Sequence, residues 1–298
     1  MTHRKFRFGV VAGQARSGAE WTDKARRIEE LGYASLVIPD NIEHTLAPFP
    51  ALAAAAGATR TLRIGTYVVA NDYRHPVMLA KEAASLDLLS GGRFELGIGA
   101  GRPSAAVDNG MLGLAFDAGS VRVARLAEAL SIIKPLLAGQ RVDVAGTHYT
   151  ARNASISPLP LQQPLPLLVG ASQRRLLTLA AREAGIIALG VQPQASEAQV
   201  EEMIAWIREA AGDRFAQVEL NMNLMAVGGN LPSYLASSLG PGAEELARSD
   251  AVPVLKGTTD DMCDQLVARR ERFGISYVMA GEELMDTLAP VVSRLAGT

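Results

Sequence analysis

Short apolar runs alternate with mixed, amphipathic stretches along almost the whole chain of 298 residues. Continuous apolar runs of this kind are typical of strands that are buried on both faces, as in a parallel sheet. We predict eight such strands, at 6–13, 34–40, 62–70, 93–101, 166–171, 186–191, 218–227 and 275–281.

The stretches between these runs carry the start and stop signals of helices. Proline is favoured at the first position of a helix because its missing N–H has no helical partner there, and glycine is favoured just after the last turn. Pro76 and Gly32 stand at such positions, and apolar residues recur at helical spacing between Leu126 and Leu137. We predict helices over 21–31, from Pro76 onward, and over 120–138, 174–184, 197–211, 260–273 and 282–295.

The alternation of strand and helix predicts the fold class. Repeated about eight times over a chain of this length, it is typical of an α/β fold of the (β/α)8 TIM-barrel type. A doubly wound sheet is the alternative, but it more often has fewer strands. We predict a single domain over 1–298 with two insertions, the proline-rich segment 144–166 before the fifth strand and 228–257 after the seventh. Long segments at the C-terminal face of a barrel usually bear function.

Composition then excludes several classes of partner. The net charge is −2 and no basic cluster occurs, so we expect no nucleic-acid partner. No apolar run approaches the roughly 18 residues that a membrane helix needs, so we expect no membrane partner. Cys263 is the single cysteine, which excludes an internal disulfide and favours a cytoplasmic protein. The histidines and this cysteine lack metal-ligand spacing, and we predict no metal site.

Small and polar residues gather where the predicted strands end. The fourth strand ends in Gly-Ile-Gly-Ala-Gly at 97–101, but Arg102 stands where a dinucleotide-binding fingerprint needs its last glycine. Glycines at this position either relieve crowding in the core or let something flat approach the backbone. The second strand ends in Asp40 and Asn41, which are polar groups directly after a buried run.

The fifth strand ends in small residues at 170–172 and leads into a helix with Arg174 in its first turn. A helix N-terminus beside a guanidinium favours an anion. The alternative is an ordinary helix start with solvated arginines. The sixth strand ends at Gly190, and strand ends of this composition suit a long cofactor with a phosphate at one end.

Three stretches carry a resemblance to a known family. "LRIGTYVVANDYRHPVMLAKEAASLDLLSGGRFELGIGAG" (62–101), "PLLVGASQRRLLTLAAREAG" (166–185) and "DMCDQLVARRERFGISYVMA" (261–280) resemble the luciferase-like flavin and deazaflavin enzymes, in the branch that uses coenzyme F420. The resemblance covers about residues 6–292. It implies an oxidoreductase that transfers a hydride between F420 and a small organic substrate.

The resemblance also implies where the cofactor lies. In this family the ring lies against a bulge of the third strand that contains a non-proline cis peptide, which falls here at Tyr67–Val68. The glycine strand, which is the fourth predicted strand ending at 97–101, would then lie under the cofactor ring or under the side chain of the cofactor. The end of the fifth strand would bind the cofactor phosphate. The implied cofactor contacts are Asp40, Tyr67, Val68, Ala70, Gly99, Gly101, Gly170, Ala171, Ser172, Arg174 and Gly190.

The chain departs from the family at the expected base. Many F420-dependent dehydrogenases of this family have histidine after that aspartate, where this chain has Asn41, which cannot exchange a proton at neutral pH. The candidate catalytic residues are therefore Asn41, as a hydrogen-bond donor that polarises an acceptor, and His44, which is otherwise a surface histidine. A reductase fits this departure better than an alcohol dehydrogenase.

Two alternatives stay open beside the F420-dependent reductase. One is an FMN-dependent monooxygenase of the same fold, and the other is a catalytically silent flavin-binding protein. The resemblance implies a homodimer, and a separate enzyme that reduces F420 or flavin as an indirect partner.

Overall fold

The computed structural model describes residues 4–298, which form two compact units. Of the described residues, the first unit comprises 4–12, 24–36 and 171–298. The second unit comprises 13–23 and 37–170. The single domain over 1–298 stays a prediction.

Strands and helices alternate along the described chain. The strands are β1 (Arg7–Val11), β2 (Ser35–Ile38), β3 (Arg63–Thr66), β4 (Val69–Ala70), β5 (Phe94–Gly99), β6 (Val142–Ala145), β7 (Thr150–Ala154), β8 (Leu167–Ala171), β9 (Ile186–Leu189), β10 (Glu219–Leu224), β11 (Ala226–Val227), β12 (Val254–Leu255) and β13 (Ile275–Gly281). The helices are α1 (Gly18–Glu30), α2 (Pro48–Ala58), α3 (Pro76–Leu89), α4 (Ala105–Met111), α5 (Gly119–Leu137), α6 (Arg174–Glu183), α7 (Glu197–Ala211), α8 (Ser233–Leu239), α9 (Gly242–Arg248), α10 (Thr259–Phe273) and α11 (Met285–Leu295).

All eight predicted strands are present, the third as β3 and β4 and the seventh as β10 and β11. The predicted helices correspond to α1, α3, α5, α6, α7, α10 and α11. The sequence pattern does not predict α2, because its run of alanines has no polar face and therefore shows no helical spacing. Within residues 4–298, no helix combines the length and apolar character that crossing a bilayer requires.

In the second unit, β5 is the central strand. It pairs in parallel with β3, where Ile64 lies opposite Phe94, and with β4, where Val69 lies opposite Ile98. It also pairs in parallel with β8. All six residues of β5 are buried, including the charged Glu95, which is typical of a strand covered on both faces.

In the first unit, β13 pairs in parallel with β1 and with β10, and β10 pairs in parallel with β9. Charged and aromatic side chains meet inside this unit. Arg7 donates to the Glu219 carboxylate at 2.6 and 2.8 Å, and its guanidinium lies 3.6 Å from the centre of the Tyr277 ring. The parallel pairing in each unit confirms the predicted α/β class.

Both predicted insertions are ordered structures. In 144–166, β7 pairs antiparallel with β6, which begins just before the predicted boundary. The 228–257 segment contains α8, α9 and β12, and it packs around an apolar cluster that it shares with β11. The members of that cluster are Ala226, Leu235, Leu246, Ala251 and Val254.

The turn between β6 and β7 is fixed by one carboxylate of α5. Glu128 accepts backbone N–H groups of Thr147, His148 and Tyr149, the last at 2.6 Å. A methyl group at Gly146 would lie 2.0 Å from a Glu128 carboxylate oxygen, so a larger residue there would displace this carboxylate. Burial raises the pKa of Glu128, but the three N–H groups and the nearby His148 outweigh it and lower the pKa overall. Glu128 is therefore held as an anion by backbone donors.

Candidate functional site

The candidate site begins at the interruption between β3 and β4. A cis peptide bond joins Tyr67 to Val68, at the position that the family resemblance implied. The Tyr67 N–H donates to the carbonyl oxygen of Ile38, the last residue of β2, at 2.8 Å. Burial raises the pKa of the Tyr67 phenol. The bulge is therefore present, and its contact with a cofactor ring stays a prediction.

The glycines of β5 make room for this bulge. A methyl group at Gly97 would lie 2.0 Å from the carbonyl oxygen of Thr66, and one at Gly99 would lie 2.7 Å from the Val68 side chain. The Thr66 hydroxyl also bonds both the N–H and the carbonyl of Gly97, at 2.8 and 2.7 Å. The contact of Gly99 with a cofactor ring stays a prediction. The space beside its Cα is filled by Val68.

The last glycine of this stretch has a different reason to be glycine. Gly101 has a φ of +80°, a left-handed conformation that disfavours other residues. From α5, Arg122 donates to the carbonyl oxygens of Ala100 and Gly101 at 2.9 and 3.3 Å, and its guanidinium lies 4.0 Å from the centre of the Phe116 ring. The end of the glycine strand is thus fixed by its own turn and by one arginine.

Asp40 lies where the resemblance placed an acid, and it is already engaged. Its carboxylate accepts from Arg74 at 2.6 Å and from the backbone N–H of Ala70 at 3.3 Å, and its side chain is only 9% exposed. Arg74 also lies 3.6 Å from Glu82, whose pKa is raised because burial and Asp40 outweigh this guanidinium. Asp40 and Ala70, two predicted contacts, are therefore joined directly by this backbone hydrogen bond, and Arg74 pairs with the same carboxylate.

The turn that follows β4 is held by α5 and by the β6–β7 hairpin. The side-chain amide of Asn71 donates to the Tyr149 hydroxyl at 3.0 Å. Asp72 pairs with Arg125 at 3.0 Å, and Arg125 pairs with Asp117 as well. These contacts fix the 3-10 turn Asn71–Tyr73 in the described structure.

The two candidate catalytic residues lie in the loop after β2. The backbone N–H of Asn41 donates to the Thr45 hydroxyl at 3.2 Å, and its side chain is half-buried. His44 is exposed, and its carbonyl oxygen accepts from Gln14 at 3.0 Å. Among residues 4–298, no hydrogen bond or ion pair joins the His44 ring to Asp40. The structure thus places His44 at the surface, which was the alternative reading of this residue.

The end of β8 forms a second group of predicted contacts. The Gly190 N–H donates to the Ala171 carbonyl at 2.8 Å, and a methyl group at Gly190 would lie 3.0 Å from the Cβ of Ser172. Gly170 is less constrained, because a methyl group added there would lie 3.5 Å from the Val68 side chain, which is an ordinary van der Waals contact. Ala171, Ser172 and Gly190 are therefore close together.

The start of α6 is open to an anion. Its N-cap residue, Gln173, forms no side-chain capping bond, so this side chain leaves the first N–H groups of the helix uncapped. Arg174 is 62% exposed and pairs with Glu209 at 3.2 Å. The uncapped N–H groups of this helix start fit a phosphate group. Arg174 would then bind the phosphate in place of the exposed Glu209 carboxylate.

Sequence reasoning missed the residues that hold the site in place. Arg74 and Arg122 were given no role, although both bond to predicted contacts or their neighbours. A signal existed for Arg74, because a cation just before a helix N-terminus is disfavoured by the helix dipole and indicates a specific carboxylate partner. No comparable signal existed for Arg122, whose partners are backbone carbonyls.

Comparison with known sequences identifies relatives of this chain. Residues 5–231 match the luciferase-like monooxygenase family. The F420-dependent glucose-6-phosphate dehydrogenase of Beutenbergia cavernae is 37% identical over 162 residues, which are 52% of this chain and 47% of that protein. The match thus spans about half the length of that curated relative.

Comparison with solved structures shows the fold. The coenzyme F420-dependent tetrahydromethanopterin reductase of Methanopyrus kandleri has a TM-score of 0.79 at 18% identity, covering 98% of this chain and 100% of that chain. A riboflavin lyase with a modified FMN and riboflavin has a TM-score of 0.77 at 14% identity, covering 98% and 93%. These likenesses confirm the predicted (β/α)8 barrel.

Proposed function

Since this chain belongs to the luciferase-like monooxygenase family, we propose that it is an F420-dependent oxidoreductase. It transfers a hydride between the deazaflavin and a small organic substrate, as a reductase rather than as an alcohol dehydrogenase. The F420-dependent proteins among its relatives and structural neighbours support the choice of cofactor. The observation that carries the choice of reaction is the end of β2, where Asp40 is paired with Arg74 and the next residue is Asn41.

The residues present fit such a cofactor in two separate places. In the second unit, the Val68 side chain rests on Gly99 and the Ala70 N–H is fixed by Asp40, which gives a firm surface for a flat ring. In the first unit, the uncapped start of α6 with Ser172 and Arg174 suits a phosphate. When bound, the deazaflavin supplies the hydride-transfer chemistry itself.

The protein's contribution is to orient groups and to control charge. Arg74 neutralises Asp40, so no unpaired carboxylate of the β2 end is left to take a proton from an alcohol. Asn41 can donate a hydrogen bond without titrating, which suits an acceptor such as an activated double bond or an imine. Such a donor would stabilise negative charge that develops on the acceptor atom.

Binding of F420 and FMN is the first test. Purified protein is titrated with oxidised F420 and separately with FMN, and binding is followed by fluorescence. We expect a micromolar Kd for F420 and at least a tenfold weaker one for FMN, a difference of about 1.4 kcal/mol. Tight FMN binding with weak F420 binding would contradict the proposal and favour the flavin-dependent monooxygenase.

A second measurement separates an enzyme from a silent binder. The protein is mixed with reduced F420 and a panel of activated alkenes and imines, and F420 absorbance is recorded. We expect at least one acceptor to oxidise the cofactor faster than it does without protein. Binding of F420 with no turnover of any acceptor would favour a silent binding protein. In the cell, a separate enzyme would re-reduce F420 as an indirect partner.

We also propose that the protein forms a homodimer. Exposed apolar side chains on α3 support it, since Met78 is 52% exposed and Leu89 is 74% exposed. Light scattering of the purified protein measures the mass directly, and a mass of one chain at all concentrations would contradict the dimer.

A further inference from the structure

The second unit contains an open groove that the proposed function does not use. This α1–α2 groove lies between the start of α1 and the start of α2, and its lining residues fall within 15–21 and 46–54. All of them belong to the second unit. The volume of the groove is about 350 Å³, at the lower end of the range for small-molecule sites. A small ligand can thus reach the groove from solvent, and the predicted cofactor contacts lie outside its lining.

The lining of the α1–α2 groove is mostly apolar. Trp21, one of the lining residues, is buried, and its indole N–H donates to the Ala51 carbonyl oxygen at 2.7 Å. The polar atom of this ring is therefore already paired, and the ring offers a ligand only apolar contact. Leu46 and small α2 residues such as Ala54, both of which are exposed, also line the groove. The groove therefore favours the apolar body of a ligand.

One cation lies in this apolar lining. Among the described residues that line the groove, Arg16 alone is charged. Its backbone N–H donates to the Glu20 carboxylate at 2.9 Å, whereas within residues 4–298 its guanidinium forms no hydrogen bond or ion pair. A guanidinium that is open to solvent beside an apolar cavity favours a carboxylate at one end of an apolar molecule, since charge-assisted hydrogen bonds are the strong ones.

The wall of the groove at Leu46 is tied to the loop after β2. The Leu46 N–H donates to the Gly13 carbonyl oxygen at 2.7 Å. The neighbouring Thr45 hydroxyl donates to the Asn41 carbonyl oxygen at 3.0 Å and accepts from the Asn41 N–H at 3.2 Å. A ligand that packs against Leu46 would therefore restrain the loop 41–47, which carries both candidate catalytic residues.

We propose that the α1–α2 groove is a binding site for a small molecule with an apolar body and a single carboxylate. The apolar body packs against Trp21 and α2, and the Arg16 guanidinium donates to the carboxylate. One guanidinium balances one negative charge, so a dianionic phosphate fits this groove less well. The site is an addition to the proposed reductase function and does not depend on F420, so its tests need no cofactor.

Tryptophan fluorescence tests the binding claim. The chain has two tryptophans, so Trp206→Phe leaves Trp21 as the single indole emitter. This variant is titrated with 3-phenylpropionate and, as the matched uncharged control, with 3-phenylpropanamide. We expect a saturable change in Trp21 emission with the acid and a Kd about fivefold weaker for the amide, the upper range for an exposed ion pair. No saturable change, or equal Kd values for the two molecules, would overturn the proposal.

Three variants locate the site, each in the Trp206→Phe chain. Arg16→Gln should weaken binding of the acid about fivefold and leave the amide unchanged, because only the charge contact is lost. Arg102→Gln is the matched control, since Arg102 is exposed and lies outside the lining. Ala54→Leu fills the groove from an exposed helix position, keeps a good helix former and should abolish binding of both molecules. Equal affinity of Arg16→Gln and Arg102→Gln for the acid, or wild-type binding by folded Ala54→Leu, would contradict this site.

Hydrogen exchange tests the contact with the loop. With 3-phenylpropionate bound, the backbone amides of 41–47 should exchange more slowly in wild type, because the ligand restrains the wall at Leu46. The same molecule should leave exchange in Ala54→Leu unchanged, since its groove is filled. Unchanged exchange of 41–47 in saturated wild type would contradict a ligand seated against Leu46.

Discussion

Two regions that carry predicted cofactor contacts are built in opposite ways. The β2–β5 edge, defined by Asp40, Val68, Ala70, Arg74 and Gly97, consists of half-buried or buried residues that bond to or pack against one another. The β8 edge, defined by residues 171–174 and Gly190, is held mainly by a backbone hydrogen bond and has exposed side chains. The first region has its shape before any ligand arrives, whereas the second keeps its donors open.

The difference corresponds to what each region would have to do. A group that must be held in one orientation for hydride transfer benefits from a rigid support, because small displacements lower the rate strongly. A phosphate needs donors and positive charge more than it needs a fixed shape. We therefore expect substitutions at the β2–β5 edge to affect folding, and substitutions at the β8 edge to affect binding alone.

The largest effect is expected for Gly97→Ala. The added methyl group would lie 2.0 Å from the backbone oxygen of Thr66, so the two strands would have to separate locally. We expect a loss of about 3 kcal/mol in the free energy of unfolding, measured in urea. Gly170→Ala is the matched control, because its methyl group would meet Val68 at 3.5 Å, and it should cost less than about 1 kcal/mol. Equal losses in the two variants would contradict the account of the glycine strand.

An intermediate effect is expected for Arg74→Met. It leaves the Asp40 carboxylate, 9% exposed, without its cation, and Arg74 itself is 21% exposed. Breaking a fully buried pair costs about 3–5 kcal/mol, and we expect about 2 kcal/mol here because of this partial exposure. Asp40→Asn in the same chain should recover much of the loss in urea unfolding. If the double variant is no more stable than Arg74→Met, the pair does not hold this edge.

The smallest effect on folding is expected for Arg174→Ala. Its partner Glu209 is 69% exposed, so losing this surface pair should change the free energy of unfolding by less than about 0.5 kcal/mol. The Kd for F420 should nevertheless rise severalfold, because a guanidinium beside the phosphate is gone. Glu209→Ala frees Arg174 and should leave the Kd equal or lower. A Kd that Arg174→Ala does not change would remove Arg174 from the binding site.

The sequence predicts the order of elements well because that order depends on local pattern. Each of the eight buried runs became a strand, and each predicted helix formed within a few residues of its expected ends. Where the local pattern is weak the prediction fails. The helix α2 is apolar on all sides, and the 228–257 segment needs contacts distant in sequence, such as Leu235 with Val254, to form its cluster.

The candidate site is harder to predict, since its contacts join residues far apart in the chain. The sequence shows that Gly97 and Gly99 need space, but only the fold shows that Thr66 and Val68 occupy it. The position of Tyr67–Val68 came from the family resemblance and not from a local signal. The pKa of Tyr73, which burial and nearby carboxylates raise, illustrates the limit, because two of the carboxylates that act on its phenol, Asp40 and Asp108, lie far from it in the chain.

The anchor of the β6–β7 turn has a consequence for how this enzyme can diverge. Glu128 binds the backbone N–H groups of Thr147, His148 and Tyr149, so it holds the turn whatever their side chains are. Only Glu128 and Gly146 are constrained by the anchor itself. Related chains that keep these two residues can exchange Tyr149, whose hydroxyl meets Asn71 next to the candidate site, without rebuilding the hairpin. The turn is thus a position where side chains next to the candidate site can change at little risk to folding.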